Sequence, residues 1–188
     1  MRVALGTLLL LFGIVALAQS YGPRPPAPAA SPTSPAGTTA TLTPNAAPTA
    51  APPIPAGYRV RIARLRIDLP IAEGDVQRDV DLQRTPEGYA FHLPGTAIPG
   101  HGGNAYLYAH ARSGMFLALW DARPGDLVVI VTPDGGELAY VVAEIRPRVD
   151  PSDVSVAEQA GGERVTLQTS TGPSPEDPRF VVIARPQT

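Results

Sequence analysis

Three polar side chains stand at the ends of strand-like runs. Ser170 closes the run 165–169, His110 follows the run 104–109, and Arg179 opens the run 180–184. A serine hydroxyl is a weak acid and attacks a carbonyl only with a general base in hydrogen-bond reach. A neutral histidine close by can be that base. An arginine beside both can stabilise a tetrahedral oxyanion. Plainer readings stand next to this one. Ser170 alone is a strand-end hydroxyl with a local hydrogen bond, and His110 alone is a packed, satisfied histidine. Arg179, near Glu176 and Asp177, alone is half of a surface ion pair of little worth.

The chain contains no cysteine, which removes disulfides, thiolate metal sites and cysteine nucleophiles together. His92 and His101 match neither a zinc motif nor a catalytic pair, so no metal site is expected from the three histidines. Asp150 and Asp153 read as turn or capping residues. His101-Gly102-Gly103 is a loop signal rather than a phosphate cradle, and no nucleotide motif or cofactor site is present. Every basic residue is an arginine. Beyond residue 56 there are 13 of them against 17 carboxylates, without a basic run, which excludes nucleic acid as an expected partner.

The elements that must position these side chains read as all-β. Residues 58–67 alternate, with a phase switch near Ile62 that suggests a bulge or bend. Leu69-Pro70-Ile71 reads as a short edge strand, and 104–109 is the next clear strand. Residues 113–120 suggest a helical turn burying Met115, Phe116, Leu119 and Trp120. After the turn Arg123-Pro124-Gly125-Asp126, the continuous apolar run 127–131 predicts a buried strand. Thr132-Pro133-Asp134-Gly135-Gly136 turns it into a long hairpin arm over 137–149. Residues 151–159 read as loop with a single helical turn, and 163–169 and 180–184 as the last two strands. About eight strands in roughly 130 residues predict a closed or nearly closed β-barrel.

Ahead of the barrel lie two segments of different composition. Residues 1–20 are an apolar helix candidate, of which 3–18 carry no charge. At 1.5 Å per residue this helix spans about 24 Å, short of a ~30 Å hydrocarbon core. That length, and Ala16-Leu17-Ala18 before Gln19, fit a cleaved signal peptide; an uncleaved membrane anchor is the other reading. Both put the following domain outside the cytoplasmic membrane. Residues 21–56 form a Pro/Ala/Thr-rich linker with Arg24 as its one charge. Its prolines exclude a helix or central strand and favour polyproline II, reaching about 100 Å if fully extended at ~3.1 Å per residue. Residues 57–188 are the expected folded domain.

Four motifs in order give the chain a family likeness: Gly103-Asn104-Ala105-Tyr106-Leu107-Tyr108-Ala109-His110; Gly125-Asp126 before an apolar strand; Thr166-Leu167-Gln168-Thr169-Ser170; and Arg179-Phe180-Val181-Val182. Together they resemble a sortase, a membrane-anchored transpeptidase of bacterial surfaces, over roughly residues 58–185. The resemblance implies an eight-stranded barrel, no cofactor, and as partners a surface-protein sorting peptide and an amine or water acceptor. It also favours the anchor over the cleaved leader, and brings in a calcium site near Asp150 and Asp153 as an open alternative. By position it implies that Ser170 occupies the nucleophile site, that His110 exchanges protons, and that Arg179 holds substrate or oxyanion. Two departures stand out: Ala109 where the family commonly has glycine, and Ser170 where it has cysteine. The second leaves three outcomes open: a serine-based acyl-transfer enzyme, a silent homologue kept as a peptide-binding or scaffold module, and a surface domain whose tether matters more than its site.

Overall fold

The computed structural model describes residues 52–159 and 161–188; the leader and most of the linker lie outside the described residues. Eight strands close into one barrel. They are β1 (Arg59–Ile62), β2 (Ile67–Glu73), β3 (Ala90–His92), β4 (Asn104–Tyr108), β5 (Leu127–Val131), β6 (Glu137–Val149), β7 (Arg164–Ser170) and β8 (Arg179–Pro186). Around the barrel the order is β1-β2-β3-β4-β7-β8-β6-β5. Two neighbouring pairs are parallel, β2 with β3 and β4 with β7; the rest are antiparallel. Among the described residues no helix is long and apolar enough to cross a membrane.

The core follows from the period-2 alternation of strands. Val60, Ile62, Ile67, Leu69, Ile71, Ala105, Leu107, Val128, Ile130, Tyr140, Val142, Val165, Leu167, Phe180 and Val182 fill the barrel. Outward residues of β4, β7 and β8 are not all solvated. Tyr106, Val181 and Ile183 join Val149 and Val156 in a second apolar cluster on the outer face.

Four local expectations are corrected. The phase switch at Ile62 is a change of strand: a 3-10 turn (Ala63–Leu65) and Arg66 at φ 54° separate β1 from β2. Leu69-Pro70-Ile71 lies inside β2, which has a neighbour on both sides. Ile71 N donates to Tyr58 O, so position 70 presents its missing donor on the other side, where pairing to β3 begins only at Ile71. The apolar run of β5 is buried on one side only: Val128 and Ile130 point in, while Leu127 is 46% exposed, because a barrel covers the inner face alone. In the turn Phe116–Asp121, Met115, Phe116 and Leu119 are buried but Trp120 is 45% exposed. The three-residue β3 is too short to leave a periodic signal and was not expected from the sequence.

Asn104, fully buried at the start of β4, ties three elements together. Its Nδ2 donates to Val156 O and Glu158 O, both at 3.0 Å, and its Oδ1 accepts from Thr166 Oγ1 at 2.7 Å. These bonds fix the β6–β7 connection, with its 3-10 turn (Val154–Ala157), against the β4–β7 seam. Asn104→Ala leaves a buried hydroxyl and two carbonyls short of partners, at a cost of about 2 kcal/mol. The midpoint in calorimetry of the full chain is expected to fall by about 5 °C; an unchanged midpoint would mean that Asn104 does not hold this connection.

Candidate active site

Strand register pairs two of the three candidates and directs the third to the same end of the barrel. In the antiparallel β7–β8 ladder Ser170 and Arg179 are direct partners. In the parallel β4–β7 ladder Tyr108 is level with Gln168, so the chain just past β4, with His110, leaves the ladder at the same end of the barrel as Ser170. Hydrogen bonding continues past that pair: Ala109 N donates to Gln168 O at 3.2 Å, and the buried Thr169 Oγ1 donates to Ala109 O at 2.9 Å.

Parity puts all three on the outer face. Ala105, Leu107 and Ala109 point into the core, as do Val165, Leu167, Phe180 and Val182. The alternate positions Tyr106, Tyr108, His110, Gln168, Ser170 and Arg179 therefore share the outside. Tyr106 Oη donates to Gln168 Oε1, laying two polar side chains along the floor next to Ser170. Burial pushes the Tyr106 phenol well above its ordinary range against the opposing pull of Arg179.

The plain reading of Arg179 does not hold. Its guanidinium pairs with no carboxylate among the described residues. Nη1 donates to Ser170 Oγ at 3.2 Å and to Asp177 O at 3.1 Å, and Nη2 donates to Pro175 O at 2.9 Å. Two loop carbonyls hold the fork in place while its charge stays uncompensated at the serine. Asp177 instead turns its carboxylate to Ser174 N at 2.7 Å, closing the 171–178 loop on itself.

His110 is half-buried and makes no hydrogen bond to Ser170. Its Nε2 donates to Thr85 O at 2.8 Å. Thr85 belongs to the β2–β3 connection, whose short π-helical turn (Gln77–Asp81) is pinned to the outer face of β3 and β4. Asp79 receives Arg78 and Tyr108 Oη, and Arg78 lies over the Phe91 ring at 4.9 Å from its centroid. Gly74 begins this connection. A β-carbon there would stand 2.7 Å from His92 O and closer still to Tyr108 Oη, so only glycine admits the approach. Neither Thr85 nor the Arg78–Asp79–Tyr108 group was foreseen. Tyr108 was legible as an outward neighbour of His110 on β4, whereas a backbone carbonyl leaves no mark in a sequence.

His92 is fully buried between β2 and a following turn, with Nδ1 at 2.9 Å from Glu73 Oε2 and Nε2 at 3.0 Å from Ala97 O. It does not join the site, and neither does His101. Asp150 Oδ1 accepts from Ser152 N and Asp153 Oδ1 from Ser155 N, the turn and cap roles expected of them. No cluster of three or more metal-binding side chains occurs among the described residues. A hollow of about 480 Å³ lined by Ile54, Tyr58, Pro70, Glu73 and Tyr89 includes none of the three candidates.

With this geometry in view, the comparisons carry weight. The family model for the sortase domain matches residues 60–187. The chain belongs to the sortase family. Among solved structures it is similar to sortase A of Listeria monocytogenes, with 20% identity, 71% of this chain and 88% of that chain covered, and a TM-score of 0.61. It is also similar to the Clostridium perfringens sortase D5 transpeptidase, with 25% identity, 71% and 79% covered, and a TM-score of 0.57. A lid mutant of Streptococcus agalactiae sortase C1 matches with 30% identity, 71% and 69% covered, and a TM-score of 0.58. No curated protein matches. The eight-stranded barrel is thus the sortase fold, and family and fold support a sortase-type transpeptidase.

Asp79 makes the loop beside this sortase site sensitive to acid. Burial alone would raise its pKa, but the hydrogen bonds from Arg78, Tyr108 Oη and the Asp75 amide, with the Arg78 charge, outweigh that and hold it at about 2. The unfolded value is about 3.9, so the carboxylate stabilises the fold above that pH, by about 2 kcal/mol, and the contribution is lost as pH falls toward 2. Asp79→Asn is expected to be less stable by that amount in urea unfolding at pH 7, with the gap to the unsubstituted chain narrowing at pH 3. A gap independent of pH would show that the ionised carboxylate is not its source.

Proposed function

We propose that this sortase is an extracytoplasmic acyl-transfer enzyme that uses Ser170 where its family uses cysteine. The observation that carries the reading is the arginine: Arg179, paired with no carboxylate among the described residues and held by Pro175 and Asp177 carbonyls, donates directly to Ser170 Oγ. A hydroxyl that only ended a strand would need no such charge aimed at it.

The substrate class is a surface-protein sorting peptide lying along the outer face of β4 and β7, over Tyr106 and Gln168. Ser170 Oγ bonds to the scissile carbonyl carbon while its proton passes to His110. The negative charge on the carbonyl oxygen is met by Arg179, the kind of electrostatic help that removing one donor costs about 10²–10³ in rate. The C–N bond then breaks and the leaving amine takes the proton from His110. An acceptor amine, or water, attacks the resulting ester, returns its proton through His110 and frees Ser170. No cofactor or metal enters the scheme. The apolar residues 1–20 would hold the enzyme at the membrane as a single-pass anchor, and the Pro-rich 21–56 would carry the barrel away from it.

A second reading has its own observation. Ser170 and His110 share no hydrogen bond, and the imidazole is engaged by Thr85 O. This favours a silent sortase homologue kept for peptide binding or scaffolding.

Intact-mass analysis of the full chain after treatment with a fluorophosphonate separates the two. An adduct on the unsubstituted chain that is absent from Ser170→Ala is expected, with Arg179→Ala labelling about 10²-fold more slowly. No adduct at any concentration would favour the silent homologue.

A further inference from the structure

We infer that the backbone carbonyl of Thr85 is the orienting partner of His110, filling the place that a carboxylate takes in a serine–histidine–acid triad, and that Nδ1 is the nitrogen through which His110 exchanges protons. The inference deepens the acyl-transfer reading and rests on it for its catalytic consequence. A serine nucleophile needs its base in a defined tautomer and orientation. Among the described residues no carboxylate lies within ion-pair distance of His110, whereas His92 has one in Glu73. Among the described residues the His110 ring finds one hydrogen-bond partner, Thr85 O, at 2.8 Å from Nε2. A carbonyl oxygen can only accept, so Nε2 carries a hydrogen and the neutral ring keeps its lone pair on Nδ1. In the acylation step the Ser170 proton moves to Nδ1 while Nε2–H stays on Thr85 O. The same Nδ1 proton then goes to the leaving amine.

The segment that carries this carbonyl is held more tightly than a spacer loop requires. Leu82 N donates to Gln77 O and Arg84 N to Arg78 O, both at 2.9 Å. Between them Gln83 adopts φ 51°, a left-handed conformation unusual for a residue with a β-carbon. This turn sends the chain back toward β4. Thr85 Oγ1 reaches Asp79 O at 3.4 Å, and Glu87 pairs with Arg112, two residues beyond His110. Asp79 is in turn bonded by Tyr108, two residues before His110. The loop and the strand end thus grip each other on both sides of the histidine. The Thr85 carbonyl also precedes Pro86. The proline ring fixes its own φ and confines residue 85 to extended conformations, so the carbonyl is aimed before His110 meets it. Thr85 and Pro86 are positioning residues in this scheme.

Long-range ¹H–¹⁵N spectra of the histidine rings in the full chain, with His110→Gln to assign the signals, test the inference without any substrate. The expected result is the Nε2–H tautomer at His110, in the Ser170→Ala background as well. Pro86→Gly is expected to mix the two tautomers and to slow fluorophosphonate labelling of Ser170 about tenfold. An Nδ1–H tautomer in the unsubstituted chain overturns the assignment even if Pro86→Gly fails to fold. So does a Pro86→Gly chain with unaltered tautomer and labelling rate. Failure of the unsubstituted chain to label counts against Ser170 as nucleophile, while the tautomer measurement still decides the role of Thr85.

Discussion

The parallel pairing of β4 with β7 is the constraint on which the rest of this molecule depends. Parallel strands cannot be joined by a tight turn, so the chain travels from β4 through β5 and β6 before β7 returns beside it. The return is fixed by buried polar contacts at both ends of the seam: Asn104 with Thr166 at one, Thr169 with Ala109 at the other. A slip of one residue would send every side chain to the opposite face. On β7 it would bury Ser170 and expose Leu167. The hydrophobic alternation that closes the barrel therefore also keeps Ser170 outside, at the barrel end where the chain leaves β4 toward His110. The antiparallel β8 adds Arg179 by the same logic, since its register places Phe180 and Val182 in the core and Arg179 opposite Ser170.

A second layer of structure lies outside the barrel and makes the site more than three side chains on a sheet. The β6–β7 connection is held down by Asn104 and by the apolar cluster around Val156 and Val181. The β7–β8 loop spends its own carbonyls on Arg179. The β2–β3 connection is fastened by Asp79 to Tyr108 and reaches His110 through Thr85. Each connection thus supplies backbone acceptors or apolar cover where the barrel surface alone would leave a guanidinium and an imidazole to solvent. Side chains positioned by a rigid scaffold and oriented by its loops are the usual arrangement for chemistry on a β-barrel.

What the sequence made legible follows from these two layers. Strands bounded by clear turns or carrying apolar β-branched runs, such as β6, β7 and β8, announce themselves, and so did the positions of Ser170, His110 and Arg179 at strand ends. The 3-10 turn between β1 and β2 showed only as a shift of phase, because a one-turn element has no period of its own. β3 was invisible: three residues between glycine-rich turns carry no alternation, and its place comes from pairing with strands distant in sequence. The exposure of Trp120 and Leu127 was misread because apolar character reports a preference for burial, not which face a barrel covers. Arg179 beside Glu176 and Asp177 suggested an ion pair, yet the loop geometry turns Asp177 toward Ser174. Thr85 acts through an atom that every residue possesses, so no residue-type signal marks it.

The replacement of sulfur by oxygen bears unequally on the members of the site. On the acyl-transfer reading an oxyanion forms on the substrate carbonyl whichever atom attacks, so the demand on Arg179 is unchanged, and a guanidinium held by two loop carbonyls suits that demand. The demand on His110 changes. A thiolate can exist before substrate arrives, and its histidine need only share the site. A hydroxyl loses its proton only during attack, so its histidine must already present a lone pair in the correct direction. A ring free to choose its tautomer would satisfy the first requirement but not the second. The Nε2–H···O=C bond to Thr85 removes that choice at the price of one backbone acceptor. A contact that at first favours a silent homologue, because it draws the imidazole into a bond with something other than Ser170, is also the contact that an oxygen nucleophile would require.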